Sequence, residues 1–206
     1  MVRGAAAPAA ATGAADPREA RRLQRRARLT QAALAMFAAR GYHETSVDDI
    51  VARARMSKSA FYEQFDSKEQ CFREVLAQEG GELIHAVIGA AAGGHDHRDR
   101  MRRGIRAFVV ACYKRSAVAR LMMVESVGVN PSVEEVRHQL QERFAHMVAE
   151  EVRLALVDDE FYADQDPQVF GRAVVGAVND AVGYFLTHPG ADAESLAASL
   201  CRIFAP

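Results

Sequence analysis

Residues 57–65 read Ser-Lys-Ser-Ala-Phe-Tyr-Glu-Gln-Phe. Advancing ~100° per residue along a helix puts Phe61 and Phe65 within ~40° of each other. Ser59, Ala60 and Glu63 fall on the opposite side, with Tyr62 and Gln64 on the two flanks. Small residues, a phenol and an amide are poor core material, but they suit a surface that lies against something polar. A helix seated in a DNA major groove needs this division. Small or hydrogen-bonding groups face base edges, and longer side chains such as Lys58, Tyr62 and Gln64 reach the phosphates on either side. The two phenylalanines are expected to anchor the helix in a core.

The flanking residues punctuate further helices. Upstream, Thr45-Ser46-Val-Asp-Asp49-Ile-Val-Ala-Arg-Ala54 begins with a capping pair, Ser46 and Asp49 three residues later. Val47, Ile50 and Val51 face inward in a helix of about eight residues. Arg55-Met56 is a tight turn and Ser57 caps the next helix. Farther back, Arg18–Arg40 repeats Leu29, Ala32, Ala33, Met36 and Phe37 at helical spacing, and Gly41 stops it. Downstream, Ser67 and Gln70 open a long helix that runs to Ala91. Two short helices joined by a three- or four-residue turn form the helix-turn-helix pattern.

Composition agrees with an all-α chain. Half of the 206 residues are hydrophobic, Pro numbers six, and no Asn-Gly or Asp-Gly hairpin signal occurs. The uninterrupted apolar runs fall short of the ~20 residues of a membrane span, and neither a membrane partner nor a cofactor is expected. Three widely spaced cysteines, Cys71, Cys112 and Cys201, with no Cys-x-x-Cys pair, imply a reducing, cytoplasmic setting. His95 and His97 in a Gly-rich loop lack the four ligands of a structural zinc site, and no metal is expected. Residues 1–17, rich in Ala, Gly and Pro, are expected to be a disordered arm.

The net charge of −1 hides an asymmetry. Residues 1–68 carry 12 Lys/Arg against 7 Asp/Glu, and the remainder 14 against 20. A basic front suggests a polyanionic partner, here double-stranded DNA. Six arginines between Arg18 and Arg28 either form a solvated face or extend the footprint, and a flexible arm beyond them can enter a minor groove.

The run Gly41–Leu76 resembles the DNA-binding domain of the tetracycline-repressor (TetR) family. Gly41-Tyr42, Thr45-Ser46, Ile50-Val51-Ala52, Ser57, Phe61-Tyr62, Phe65 and Ser67-Lys68-Glu69 agree with it in order and spacing. The resemblance implies phosphate contacts from Thr45, Ser46, Tyr62 and Lys68. Ser46 and Lys68 also sit at helix starts, which attract anions. Ser59 and Ala60 would face bases, Ala60 through a thymine methyl. Three positions depart from the family: Arg55 replaces the turn glycine, Ser59-Ala60 replaces Gly-Thr, and Gln64 replaces His. A left-handed Arg55 is uncommon but allowed. The other two mean that the operator sequence cannot be borrowed from relatives.

Behind residue 68 the periodicity predicts helices over about 100–112, 117–127, 131–148, 168–187 and 194–204. The helix at 168–187 is apolar on more than one side, which suggests a partner chain. Members of the resembled family pair through their last two helices and hold an effector among the middle ones. Phe108, Cys112, Met122, Met123, Phe144 and Met147 are soft pocket candidates, and Tyr113 and Asn179 could supply polar recognition; plain core packing is the competing explanation for each. The expected organisation is an arm (1–17), a helix-turn-helix domain (18–67), and a helical effector-binding and dimerisation domain (68–206). No nucleophile elbow, phosphate loop, zinc-protease or dinucleotide motif suggests an enzyme. The expected function is a homodimeric repressor released from a palindromic operator by a small apolar or amphipathic molecule. The alternatives are a helix-turn-helix protein without an effector, or an activator at some promoters.

Overall fold

A computed structural model describes residues 16–159, 161–188 and 190–206. The described helices are α1 (Pro17–Arg40), α2 (Val47–Ala54), α3 (Lys58–Tyr62), α4 (Lys68–Ala91), α5 (His97–Lys114), α6 (Ser116–Arg120), a π-helical turn (Leu121–Glu125), α7 (Pro131–Ala155), α8 (Pro167–Thr187) and α9 (Ala193–Phe204). No strand occurs among the described residues. Residues 1–15 of the expected arm lie outside the described residues. Asp16 and Pro17 belong instead to the start of α1: Asp16 accepts the Arg18 N–H at 2.9 Å, and Pro17 fills the first turn, where it displaces no helical bond.

Local chemistry sets the front helices. Gly41 ends α1 at φ 80°, a conformation that side chains resist. Ser46 and Asp49 form a reciprocal capping box on α2. Arg55 does adopt the left-handed conformation, φ 52° and ψ 51°, and the Met56 N–H then reaches the Val51 carbonyl at 2.9 Å. Ser57 caps α3 through the Ala60 N–H at 3.1 Å. At α4, Ser67 accepts the Gln70 N–H at 3.1 Å. Gln70 reaches one residue farther back than a standard capping box, to the Asp66 N–H.

Two apolar cores result. The front core joins Leu29, Phe37, Ile50, Phe61, Phe65, Phe72 and Leu76 from α1 to α4. Phe37 and Phe72 meet edge to face at 4.9 Å. Leu121 of the π-helical turn and Val133 of α7 are fully buried in this same core. The rear core gathers α5, α7, α8, α9 and the second half of α4. The expected boundary at residue 68 is therefore softened. α4 contributes Phe72, Val75 and Leu76 to one core and Ile84 and Val87 to the other.

The expected helix over 117–127 is divided. Its first turn is α-helical, and Leu121–Glu125 widens to π geometry, with Ser126 N–H bonded to the Leu121 carbonyl at 3.0 Å. α8 presses on α7 at Gly171, where a Cβ would lie 2.5 Å from the Ala145 carbonyl oxygen. Its outer side stays open, with Val169 67% and Tyr184 55% exposed. By length and composition α8 could cross a bilayer, as core helices of soluble proteins can. On α9, Leu196 and Leu200 are buried as their stripe predicts, but Ile203 is turned outward.

Candidate functional site

α3 is anchored as its spacing requires: Phe61 and Phe65 are 0% and 1% exposed. Tyr62 is exposed at 52%, and Ser59 and Glu63 are exposed beside it. Ala60 is half-buried. Lys58 is exposed and its ammonium lies 3.1 Å from Asp48. An ion pair between two exposed groups is weak, so a phosphate can displace it.

Four expected contacts are repositioned. Thr45 is 1% exposed, and its hydroxyl donates to the Gly41 carbonyl at 2.8 Å. That side chain closes the α1–α2 loop and does not face outward. Lys68 is partly buried, and its ammonium donates to the carbonyls of Tyr42 at 2.8 Å and Thr45 at 2.9 Å. It also sits 4.2 Å above the Tyr42 ring. Desolvation lowers its pKa from the ordinary lysine value. Lys68 thus pins the loop to the start of α4. Ser46 is exposed, but its hydroxyl and N–H both engage the Asp49 carboxylate. Gln64 is half-buried; its backbone carbonyl accepts from Arg26, and its side-chain oxygen is enclosed without a hydrogen-bond partner.

The arginine cluster divides by role. Arg26 forms a two-pronged pair with Glu74 and lies 4.4 Å from the Phe65 ring centre. Arg28 donates to the Ala54 carbonyl at 2.7 Å and locks α1 to the end of α2. Arg22 pairs with Glu19 at 2.7 Å. Arg18, Arg21, Arg22 and Arg25 line a groove with Glu63 and Gln64, directly beside the exposed side of α3. The cluster thus serves both as packing and as a basic rim.

The rear core borders two adjoining, half-open spaces among α4, α5, α7 and α8. The first, with an empty volume of about 640 Å³ that includes some open solvent, is walled by Val87, Ile105, Phe108, Phe144, Met147 and Val178. Arg100 and Glu151 stand at its rim, 2.7 Å apart. Glu151 also meets His97 at 2.6 Å. The second space, about 870 Å³ on the same measure, is lined by Leu83, Met122, Met123 and Leu140 with Arg137, Gln141 and Asp180. Phe108, Phe144 and Asn179 border both spaces. The two rings meet edge to face at 5.4 Å and form the partition.

Six of the eight expected pocket residues therefore line these spaces. Cys112 and Tyr113 do not. Cys112 is 3% exposed and borders a third crevice with Glu79 and Arg115, which shares Leu83, Met122 and Met123 with the second space; burial pushes its thiol up to about 12. Tyr113 donates its hydroxyl to the Ala191 carbonyl at 3.1 Å and ties α5 to the segment before α9. Both follow α5 round by one turn from Phe108, past the wall of the cavity. Sequence reasoning missed Arg100, Gly104, Arg137, Gln141 and Glu151. Gly104 on α5 and Gly80 and Gly176 on α4 and α8 are a usable signal, since a mid-helix glycine costs about 1 kcal/mol against Ala and invites a packing or site explanation.

Among the described residues no group of three His, Cys, Asp or Glu could hold a metal.

Known proteins share this architecture. The family model "Bacterial regulatory proteins, tetR family" matches residues 29–75. The model "Tetracyclin repressor-like, C-terminal domain" matches residues 94–204, over half of the chain. The HTH-type transcriptional activator FasR of Mycolicibacterium smegmatis is 36% identical over 85 residues, which are 41% of this chain and 39% of that protein. The uncharacterized HTH-type transcriptional regulator YdgC of Bacillus subtilis is 22% identical over 88% of this chain and 91% of its own. Among solved structures, the fatty acid degradation regulator FadR of Bacillus halodurans superposes with a TM-score of 0.80 at 14% identity, covering 88% of this chain and 94% of that one. FadR of Bacillus subtilis, solved with stearoyl-CoA, gives 0.79 at 14% identity over 87% and 97%. These two share the fold. With both halves matched, the chain belongs to the TetR family of DNA-binding transcriptional regulators and is not an enzyme.

Proposed function

We propose that the protein is a cytoplasmic homodimeric repressor that binds a palindromic operator and leaves it when an acyl-chain molecule enters the rear cavity. The carrying observation is the space walled by Val87, Ile105, Phe108, Phe144, Met147 and Val178 with polar groups only at its edges. Such a lining rewards a long apolar tail and offers little to a polar molecule. The stearoyl-CoA complex of the similarly folded Bacillus subtilis regulator supports a fatty acyl thioester as the first ligand to try. On the DNA side, Ser59 and Ala60 are the proposed base contacts. Lys58, Tyr62, the first-turn N–H groups behind Ser46, and Arg18 to Arg25 are the proposed phosphate contacts. For pairing, the open side of α8, with Val169, Ala173, Gly176, Ala177 and Tyr184, supports a flat helix-to-helix interface with a second copy.

A ligand acts on DNA binding only if it prefers the DNA-free shape. Footprinting on DNA flanking the coding region, with and without stearoyl-CoA, tests the reading. Protection of one palindrome, relieved by stearoyl-CoA and not by CoA alone, is the expected result. A second reading has one specific support: the FasR relative is a transcriptional activator. If ligand strengthens the footprint instead of relieving it, activation is the better description.

A further inference from the structure

The second space holds an arginine that the family resemblance did not indicate. Arg137 on α7 is mostly buried, with its side chain 16% exposed, and its Nε pairs with Glu134 at 3.3 Å, which leaves the Nη groups for other partners. Its Nη1 donates to the Met122 carbonyl at 2.8 Å and to Ser126 Oγ at 3.0 Å. Ser126 is itself fully buried, and its hydroxyl donates to the same Met122 carbonyl at 2.6 Å. The π geometry explains why that carbonyl needs side chains. In an α-helix the Ser126 N–H would serve Met122. Here it serves Leu121, and the Val127 N–H serves Val124. Arg137 and Ser126 thus supply the donors that hold the widened turn in place.

The turn itself joins the two cores. Met122 and Met123 line the second space, whereas Leu121 is 0% exposed in the front core. Glu125 approaches Gly41 at the end of α1. A change of one residue in register would rotate each side chain by ~100°. Leu121 could not then keep its place.

We propose that Arg137 reads the head of the effector: a carbonyl or carboxylate oxygen on an acyl ligand competes with the Met122 carbonyl for the guanidinium. Release of Met122 lets its carbonyl take the Ser126 N–H, the turn reverts toward α geometry, and Leu121 is withdrawn from the DNA-binding core. The acyl class of ligand rests on the function proposed above. The geometry supports the head-group assignment. The tail would enter the apolar space beyond Phe108 and Phe144, which must widen to take it, and Arg137, Gln141, Asn179 and Asp180 line the polar one.

The test uses the full chain and three probes: stearate, stearoyl-CoA and 1-octadecanol, which has the tail without the carbonyl. Arg137→Met keeps the apolar stem and removes the donors. The expected result is a ~10- to 100-fold loss of affinity for whichever carbonyl probe the wild type binds, as for a lost charged hydrogen bond. Octadecanol binding should change less than threefold. Arg137→Lys should recover part of the loss. Hydrogen exchange at the Ser126 amide should respond to the carbonyl probe in the wild type and not in Arg137→Met. Stearate and stearoyl-CoA distinguish a free carboxylate from a thioester. If all three probes lose affinity equally, the effect is one of folding and the assignment is wrong. If the wild type responds and Arg137→Met responds alike, the assignment alone falls. If the wild type ignores every probe, the acyl reading falls and takes this assignment with it.

Discussion

The two cores are built from similar residues and packed to different ends. In the front, Phe37, Phe61, Phe65 and Phe72 are each at most 1% exposed and contact one another or neighbouring aromatics. In the rear, Phe108 and Phe144 are 6% and 8% exposed because each borders two spaces. A filled core holds α3 at a fixed height above the surface, which a groove-reading helix needs. A core with internal space gives up dispersion contacts and stability, by roughly 24 cal/mol per Å³ of true cavity. On the function proposed above, the filled half reads DNA and the half with internal space receives the ligand.

The largest expected effect sharpens this contrast. Phe61→Ala should destabilise the protein by about 3–5 kcal/mol, as for a packed phenylalanine. Phe108→Ala enlarges an existing space and should cost less, about 3 kcal/mol, at the low end of such truncations. Urea unfolding with fluorescence and circular dichroism compares them; equal losses would break the distinction between a filled and a hollow core.

Next comes Lys68→Ala. It removes two charged hydrogen bonds to carbonyls, and the expected loss of stability is about 1.5–3 kcal/mol. The salt dependence of DNA binding should stay as it is, because the ammonium faces the loop. A flatter salt slope with unchanged melting would return Lys68 to the phosphates. Gly171→Ala should cost about 1–3 kcal/mol by forcing α8 off α7, since the nearest obstacle is backbone that cannot rotate away. Calorimetry measures it, and ligand affinity should fall with it, because Val174 and Val178 on α8 wall the first space.

Arg21→Ala should leave melting alone and lower the magnitude of the log K against log salt slope by ~0.9, one phosphate's worth. An unchanged slope would remove Arg21 from the DNA footprint. The smallest effect concerns Asp159, whose carboxylate takes Arg98 on both oxygens at 2.5 and 2.6 Å. The hydrogen bond from Arg98 holds its pKa below the ordinary aspartate value. The stability from this pair is therefore present above the unfolded pKa of ~3.9 and lost as pH falls through the lower native value. Melting followed from pH 5 to 2 should show less acid sensitivity in Asp159→Asn than in the wild type; parallel curves would remove Asp159 from the account.

The amino-acid sequence by itself determined the helix boundaries in the front half and the side of α3 that is buried. Caps such as Ser46–Asp49 and Ser57–Ala60 act across three residues, and the left-handed Arg55 is fixed by the turn it closes. Such short-range chemistry is written in neighbouring letters. Only the tertiary structure decided the fates of Lys68 and Thr45, the π-helical turn and the cavity wall. Lys68 meets carbonyls 23 and 26 residues away, and Arg137 meets a carbonyl 15 residues away. Whether Cys112 or Arg137 faces a space depends on how four helices cross. A periodic pattern says which residues turn inward, but only packing says whether the inside is filled.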